Sequence, residues 1–139
     1  MLRLRIPRHY LDAQGLSLFA PARPSARAPK QRGAPDLGVN LLIAPTDAAS
    51  DDGRLVRHVS AMVTRGAQAV TPRSIHIDAR RLSPSPGAGF EIPAKPMAAE
   101  MLGQPITRYG TEMPFAPGLY HMDIAIDDEV EAQFVAEIR

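Results

Sequence analysis

Apolar and polar positions alternate in several short runs along this chain, and each such run predicts an element. Met1 to Ile6 sets Leu2, Leu4 and Ile6 against Arg3 and Arg5, the period of a strand with one charged face. Pro7 ends that run. Tyr10-Leu11 and Leu16 to Phe19 flank Asp12 to Gly15, which reads as a small hairpin within residues 1–19. Leu37 to Ala44 is a brief Val/Ile/Leu-rich run closed by Pro45 and predicts a buried strand. Ser74 to Ala79 alternates with Ile75, Ile77 and Ala79 on one face, Phe90 to Ile92 forms a brief strand, and Leu119 to Ile126 alternates most cleanly.

Other segments carry a helical period. Leu55, Val59, Met62 and Val63 fall at i, i+4, i+7 and i+8, which predicts a helix over 52–65 closed by Gly66. Pro96 before Met97 to Leu102, with Gly103 after it, predicts a short helix. Val130, Phe134, Val135 and Ile138 repeat as one stripe behind Asp127-Asp128-Glu129, which predicts a C-terminal amphipathic helix with acids at its positive end. The sum is an α+β domain over residues 37–139, a mixed sheet of about four strands packed by two or three helices.

Composition separates the front of the chain from this domain. Residues 20–36 (APARPSARAPKQRGAPD) hold no large apolar side chain, and their prolines favour an extended path. Residues 1–36 therefore read as an extended Pro/Arg/Ala-rich N-terminal arm. Their Arg- and Ala-rich composition also resembles a transit peptide and lacks the apolar core of a secretory signal. Apolar runs such as Leu41 to Ala44 are far too short for a membrane helix, so no membrane partner is expected. With no cysteine, the chain has no disulfide, thiolate nucleophile or Cys-ligated metal.

Charge is divided in the same way. Residues 1–36 carry seven bases and two acids, a net of +5, whereas residues 37–139 carry nine bases and thirteen acids, a net of −4. Arm residues Arg3, Arg5, Arg8, Tyr10, Phe19, Arg23, Arg27, Lys30 and Arg32 are candidates for partner binding, and Asp127, Asp128 and Glu131 form the complementary acidic set. Nucleic acid is a second candidate partner for the arm, but only Tyr10 and Phe19 interleave aromatics with its bases.

The candidate chemistry is a pair of His-x-Asp triplets, His76-Ile77-Asp78 and His121-Met122-Asp123, each on a predicted strand. Alternation puts each His beside its Asp on one face, so adjacent strands would offer two imidazoles and two carboxylates to a divalent metal. The spacing resembles the His-x-Asp…His pattern of non-haem iron oxygenases, over three residues only. Two polar triplets are also what the wet faces of half-buried strands require. The chain lacks G-x-S-x-G, the phosphate-binding G-x-x-x-x-G-K-[ST] and H-E-x-x-H, and no catalytic residue is assigned. The expectation is a non-enzymatic structural subunit of a large assembly, free of cofactor, that binds copies of itself or other subunits through its arm. A phage or phage-like particle (capsid, connector or tail) is the expected setting, with the chain in the virion or in the cytoplasm before assembly. A small metal-dependent enzyme and a nucleic-acid-associated accessory protein are the alternatives.

Overall fold

A computed structural model describes residues 15–25, 36–48 and 52–139. Its strands are β1 (Leu16–Pro21), β2 (Arg23–Pro24), β3 (Gly38–Pro45), β4 (Leu55–Arg65), β5 (Gln68–Val70), β6 (Ile75–Ser83), β7 (Phe90–Ile92), β8 (Lys95–Met101), β9 (Gln104–Phe115), β10 (Gly118–Ile126) and β11 (Val130–Ile138). They form two antiparallel sheets, ordered β1-β3-β4-β9-β8 with β5 on β4, and β2-β11-β10-β6-β7. The chain passes to the opposite sheet after β1, β2, β5, β7 and β9, so both layers are built from short, alternating contributions.

This all-β sandwich overturns the α+β expectation, because the described residues contain no helix. The stretch 55–65 is β4. Leu55, Val59 and Val63 satisfy a helical period, but with Arg57 and Ala61 they also occupy every second position of one strand face. Val59, Ala61 and Val63 of that face pair in register with Ile43, Leu41 and Val39 of β3. The C-terminal stripe is also a strand. Val130, Ala132, Phe134, Ala136 and Ile138 point inward, each no more than 6% exposed, while Val135 stands outward at 56%. A helical stripe includes Val135 and passes over the two alanines. Met97 to Leu102 has helix-forming composition, yet β8 pairs along its length with β9, and that ladder overrides propensity.

The core lies between the layers. Val39, Leu41, Val59, Ala61 and Val63 of the first sheet face Ile77, Met122, Ile124, Phe134 and Ile138 of the second. Phe90, Phe115 and Tyr120 close one end of it with ring centroids 5.7–6.3 Å apart, and the Tyr120 hydroxyl donates to the Ala116 carbonyl at 2.7 Å. That donation spares a mostly buried hydroxyl from losing its water without replacement.

Residues of the expected arm enter both layers. β1 pairs with β3 from Leu16↔Ile43 to Pro21↔Gly38, and β2 then crosses to pair Arg23 and Pro24 with Glu131 and Val130. The strand expected at 1–6, most of the hairpin at 1–19, and Arg27, Lys30 and Arg32 lie outside the described residues.

Candidate assembly interface

β11 flanks the second sheet. On its outer side β2 occupies only Val130 and Glu131, and among the described residues no strand pairs with Ala132 to Ile138 there. Such an edge presents a row of unpaired N–H and C=O groups, the template for strand addition. Of the usual protections, this stretch lacks a proline, a bulge in its pairing with β10 and an inward charge, and carries the outward Glu137. β1 packs along the same flank without forming a ladder to β11. A groove of about 420 Å³ opens at the start of this edge, lined by Ala20, Pro21, Arg23, Pro24, Glu131 and Gln133. Outward from the edge stand Glu131, Gln133, Val135 and Glu137, two acids and an exposed apolar side chain among them.

The acidic character continues across the outer face of the sheet. Register aligns Glu91, Asp78, Asp123 and Gln133 in one row over β7, β6, β10 and β11. Burial, the neighbouring Glu131 carboxylate and Asp78 opposite push the Asp123 carboxyl above the usual carboxylate range, while His121 partly offsets them. Its Oδ1 is buried without a hydrogen-bond partner. Like carboxylates directly opposed on neighbouring strands repel, which favours the protonated form of Asp123 relative to a solvated carboxyl.

The two His-x-Asp triplets do lie on neighbouring strands, but the antiparallel register separates their imidazoles. Asp78 faces Asp123, whereas His76 is opposite Ala125 and His121 opposite Arg80. The histidines thus sit four residues apart along the strand direction, about 13 Å at the ordinary strand rise. His76 is engaged instead with Glu91, Nδ1 to Oε1 at 3.3 Å. Among the described residues no three His, Asp or Glu side chains are grouped closely enough to hold an ion.

The expected acidic set divides. Asp127 and Asp128 form the β10–β11 turn, with φ of 55° and 56°, and the Glu129 amide donates to the Ile126 carbonyl at 3.0 Å. Asp127 Oδ1 accepts from the Arg73 and Ser74 amides at 2.6 and 2.9 Å, and Arg73 pairs with Glu129 at 3.3 Å. Asp127 therefore already fastens the loop before β6. Glu131 pairs with Arg23 of β2, just before the stretch of β11 that no described strand pairs on its outer side. Phe19 is 67% exposed and lies across the face of Gly38, where a side chain on the glycine would collide with its ring.

A polar cluster on the outer face of the first sheet has no counterpart among the sequence motifs. Ser60 is fully buried there, its Oγ accepting from Arg108 Nε at 2.8 Å and lying 3.0 Å from His58 Nε2. Arg108 Nη2 donates to the Ser60 and Asn40 carbonyls at 3.0 and 3.2 Å, and Asn40 Nδ2 reaches Ser17 Oγ at 2.8 Å. Burial and the Arg108 charge hold His58 below its ordinary pKa, against a smaller opposing pull from Glu112 across the ladder. Ser60 beside a histidine has the parts of a nucleophilic pair, but a hydroxyl with no exposed surface meets no substrate. The cluster ties β1, β3, β4 and β9 together. Gly110 permits this, since any Cβ there would run into the Val59 carbonyl. His58 and Ser60 alternate on β4, but Ser17, Asn40 and Arg108 are far from them in sequence, and only the paired strands unite the set. Comparison with known protein families, curated proteins and solved structures finds no match to this chain.

Proposed function

We propose that this chain is a non-enzymatic structural subunit of a large assembly, in which the basic N-terminal segment of one copy adds as a strand to the β11 edge of a neighbour. The observation that carries the reading is that edge: Ala132 to Ile138, unpaired on its outer side among the described residues and flanked outward by Glu131 and Glu137. Residues 2–6 match it in parity. Leu2, Leu4 and Ile6 would continue the inward row of Ala132, Phe134, Ala136 and Ile138, and Arg3 and Arg5 would join the outward row beside the acids. A phage-like particle is the setting we favour, because double antiparallel sheets recur in capsid domains and donated strands suit interlocking subunits. That choice rests on architecture alone.

The test is charge exchange in the full chain, with native mass measured across a salt series. Arg3→Glu with Arg5→Glu lowers the assembled fraction in low salt, and adding Glu131→Arg with Glu137→Arg restores it. Assembly unaffected by the reversal, or lost and not restored by the exchange, contradicts the reading.

A further inference from the structure

β1 and β2 belong to one extended segment that changes sheets. The Ala22 amide donates to the Leu37 carbonyl at 2.8 Å, which continues the β1–β3 register, and three residues later the Ser25 amide donates to the Glu129 carbonyl at 2.9 Å on the β11 side. Backbone groups along a strand turn alternately to its two edges. Those of Leu16, Leu18, Ala20 and Ala22 therefore turn toward β3, and those of the odd-numbered positions from Ser17 to Ser25 turn toward the flank where β11 lies. Carried back along the chain, the β2–β11 register sets Pro21 opposite Gln133, Phe19 opposite Val135 and Ser17 opposite Glu137. It also sets the inward Ala20, Leu18 and Leu16 opposite the inward Phe134, Ala136 and Ile138. The chain's own β1 thus matches the open edge of β11 in parity and in hydrogen-bonding sense, yet among the described residues the ladder stops at Arg23.

Pro21 stands at the stop. It is the first position beyond Arg23 whose backbone would donate to β11, and proline has no N–H. Its nitrogen lies on the side away from β3, where an edge strand accepts proline without losing a bond of its own ladder. The two strands part at this point, and the groove that opens between them is lined by Pro21, Arg23 and Gln133. We propose that Pro21 is a positioning residue: it stops β1 from zipping onto β11 of the same copy and so keeps that edge open for the N-terminal segment of another. The consequence for assembly rests on the arm reading above, whereas the stop itself does not.

Disulfide closure in the full chain, which has no cysteine of its own, tests this. Ser17→Cys with Glu137→Cys reports zipping, because a hydrogen-bonded antiparallel pair holds its Cα atoms about 5.5 Å apart, within disulfide reach. The double variant is oxidised at high dilution, and the intramolecular bond is followed by intact mass. Adding Pro21→Ala, or Pro21→Thr as a second carrier of the missing N–H, speeds closure by about tenfold or more, since paired strands hold the two sulfurs at bonding distance. Adding Pro24→Ala does not, because position 24 turns its amide away from β11. Equal rates with and without Pro21, or an equal gain from Pro24→Ala, overturn the proposal. Without the cysteines, Pro21→Ala also lowers the assembled fraction in low salt. Faster closure with assembly unchanged upholds the stop and sinks only the arm reading.

Discussion

Phe134 and Val135 are neighbours on β11, and replacing each by alanine separates a strand from a helix there. Both fall on one helical stripe in the sequence, but the sandwich places Phe134 at 6% exposure in the core and Val135 at 56% outside. Truncating a packed phenylalanine removes its transfer free energy and leaves a cavity, together about 3–5 kcal/mol. Against a total stability of about 5–15 kcal/mol for a domain, that is a large fraction. At about 3–5 °C per kcal/mol for a chain between the small and medium size classes, Phe134→Ala lowers the melting temperature by roughly 10–20 °C. Val135→Ala loses little buried surface and stays within about 0.5 kcal/mol of the parent. Thermal melts followed by circular dichroism, with urea unfolding to check that the slope is unchanged, give both values. Comparable losses from the two substitutions would refute the inward and outward assignment of β11.

Asp123→Asn raises stability at neutral pH, because the folded state holds the Asp123 carboxyl above its ordinary range; the advantage disappears as pH falls below about 4, where Asp123 is protonated folded or unfolded, and an advantage that persists in acid contradicts the shift. The folded state depresses the pKa of His58, so part of the parent's stability is lost as pH falls below about 6.5, and His58→Gln flattens that portion of the pH profile. Arg108→Met leaves buried Ser60 without its donor and costs about 1–3 kcal/mol in urea unfolding, whereas a cost near zero would mean that the cluster is not a tie. His76→Gln with His121→Gln shifts stability by less than about 1 kcal/mol and leaves assembly intact, and stoichiometric zinc, iron or manganese in the parent that is lost in this variant would favour a metal site instead.

Strands exposed on one face are legible in the sequence. Ile75, Ile77 and Ala79 alternate with His76 and Asp78, and Tyr120 to Ile126 alternates with His121 and Asp123, so the pattern carries its own period. β4 is hidden because Val59 to Thr64 is buried on both sides, inward by the core and outward under groups such as Arg108, which erases alternation. β11 is hidden because Ala132 and Ala136, small and favourable in helices, are inward core residues, while Val135 supplies a false helical match. At β8 the proline and glycine that bracket Met97 to Leu102 suit a helix start and stop equally well. Only the pairing with β9 decides between them. The alternation around each His-x-Asp triplet marks its strand, and the two strands are neighbours, but antiparallel register, invisible in either triplet, sets their histidines apart.

Because the chain contains no cysteine, the arm and the β11 edge can be joined by one engineered disulfide without competing thiols. Copies carrying Arg3→Cys or Arg5→Cys are mixed with copies carrying Val135→Cys and oxidised, and Leu4→Cys with Val135→Cys serves as the control of opposite parity. Strand addition predicts covalent dimers from one or both arginine positions, and few from Leu4, whose side chain would point into the core beside Phe134. Yields that are equally low for all three pairs, or equal without regard to parity, would contradict the claim that the N-terminal segment of one copy completes the sheet of another.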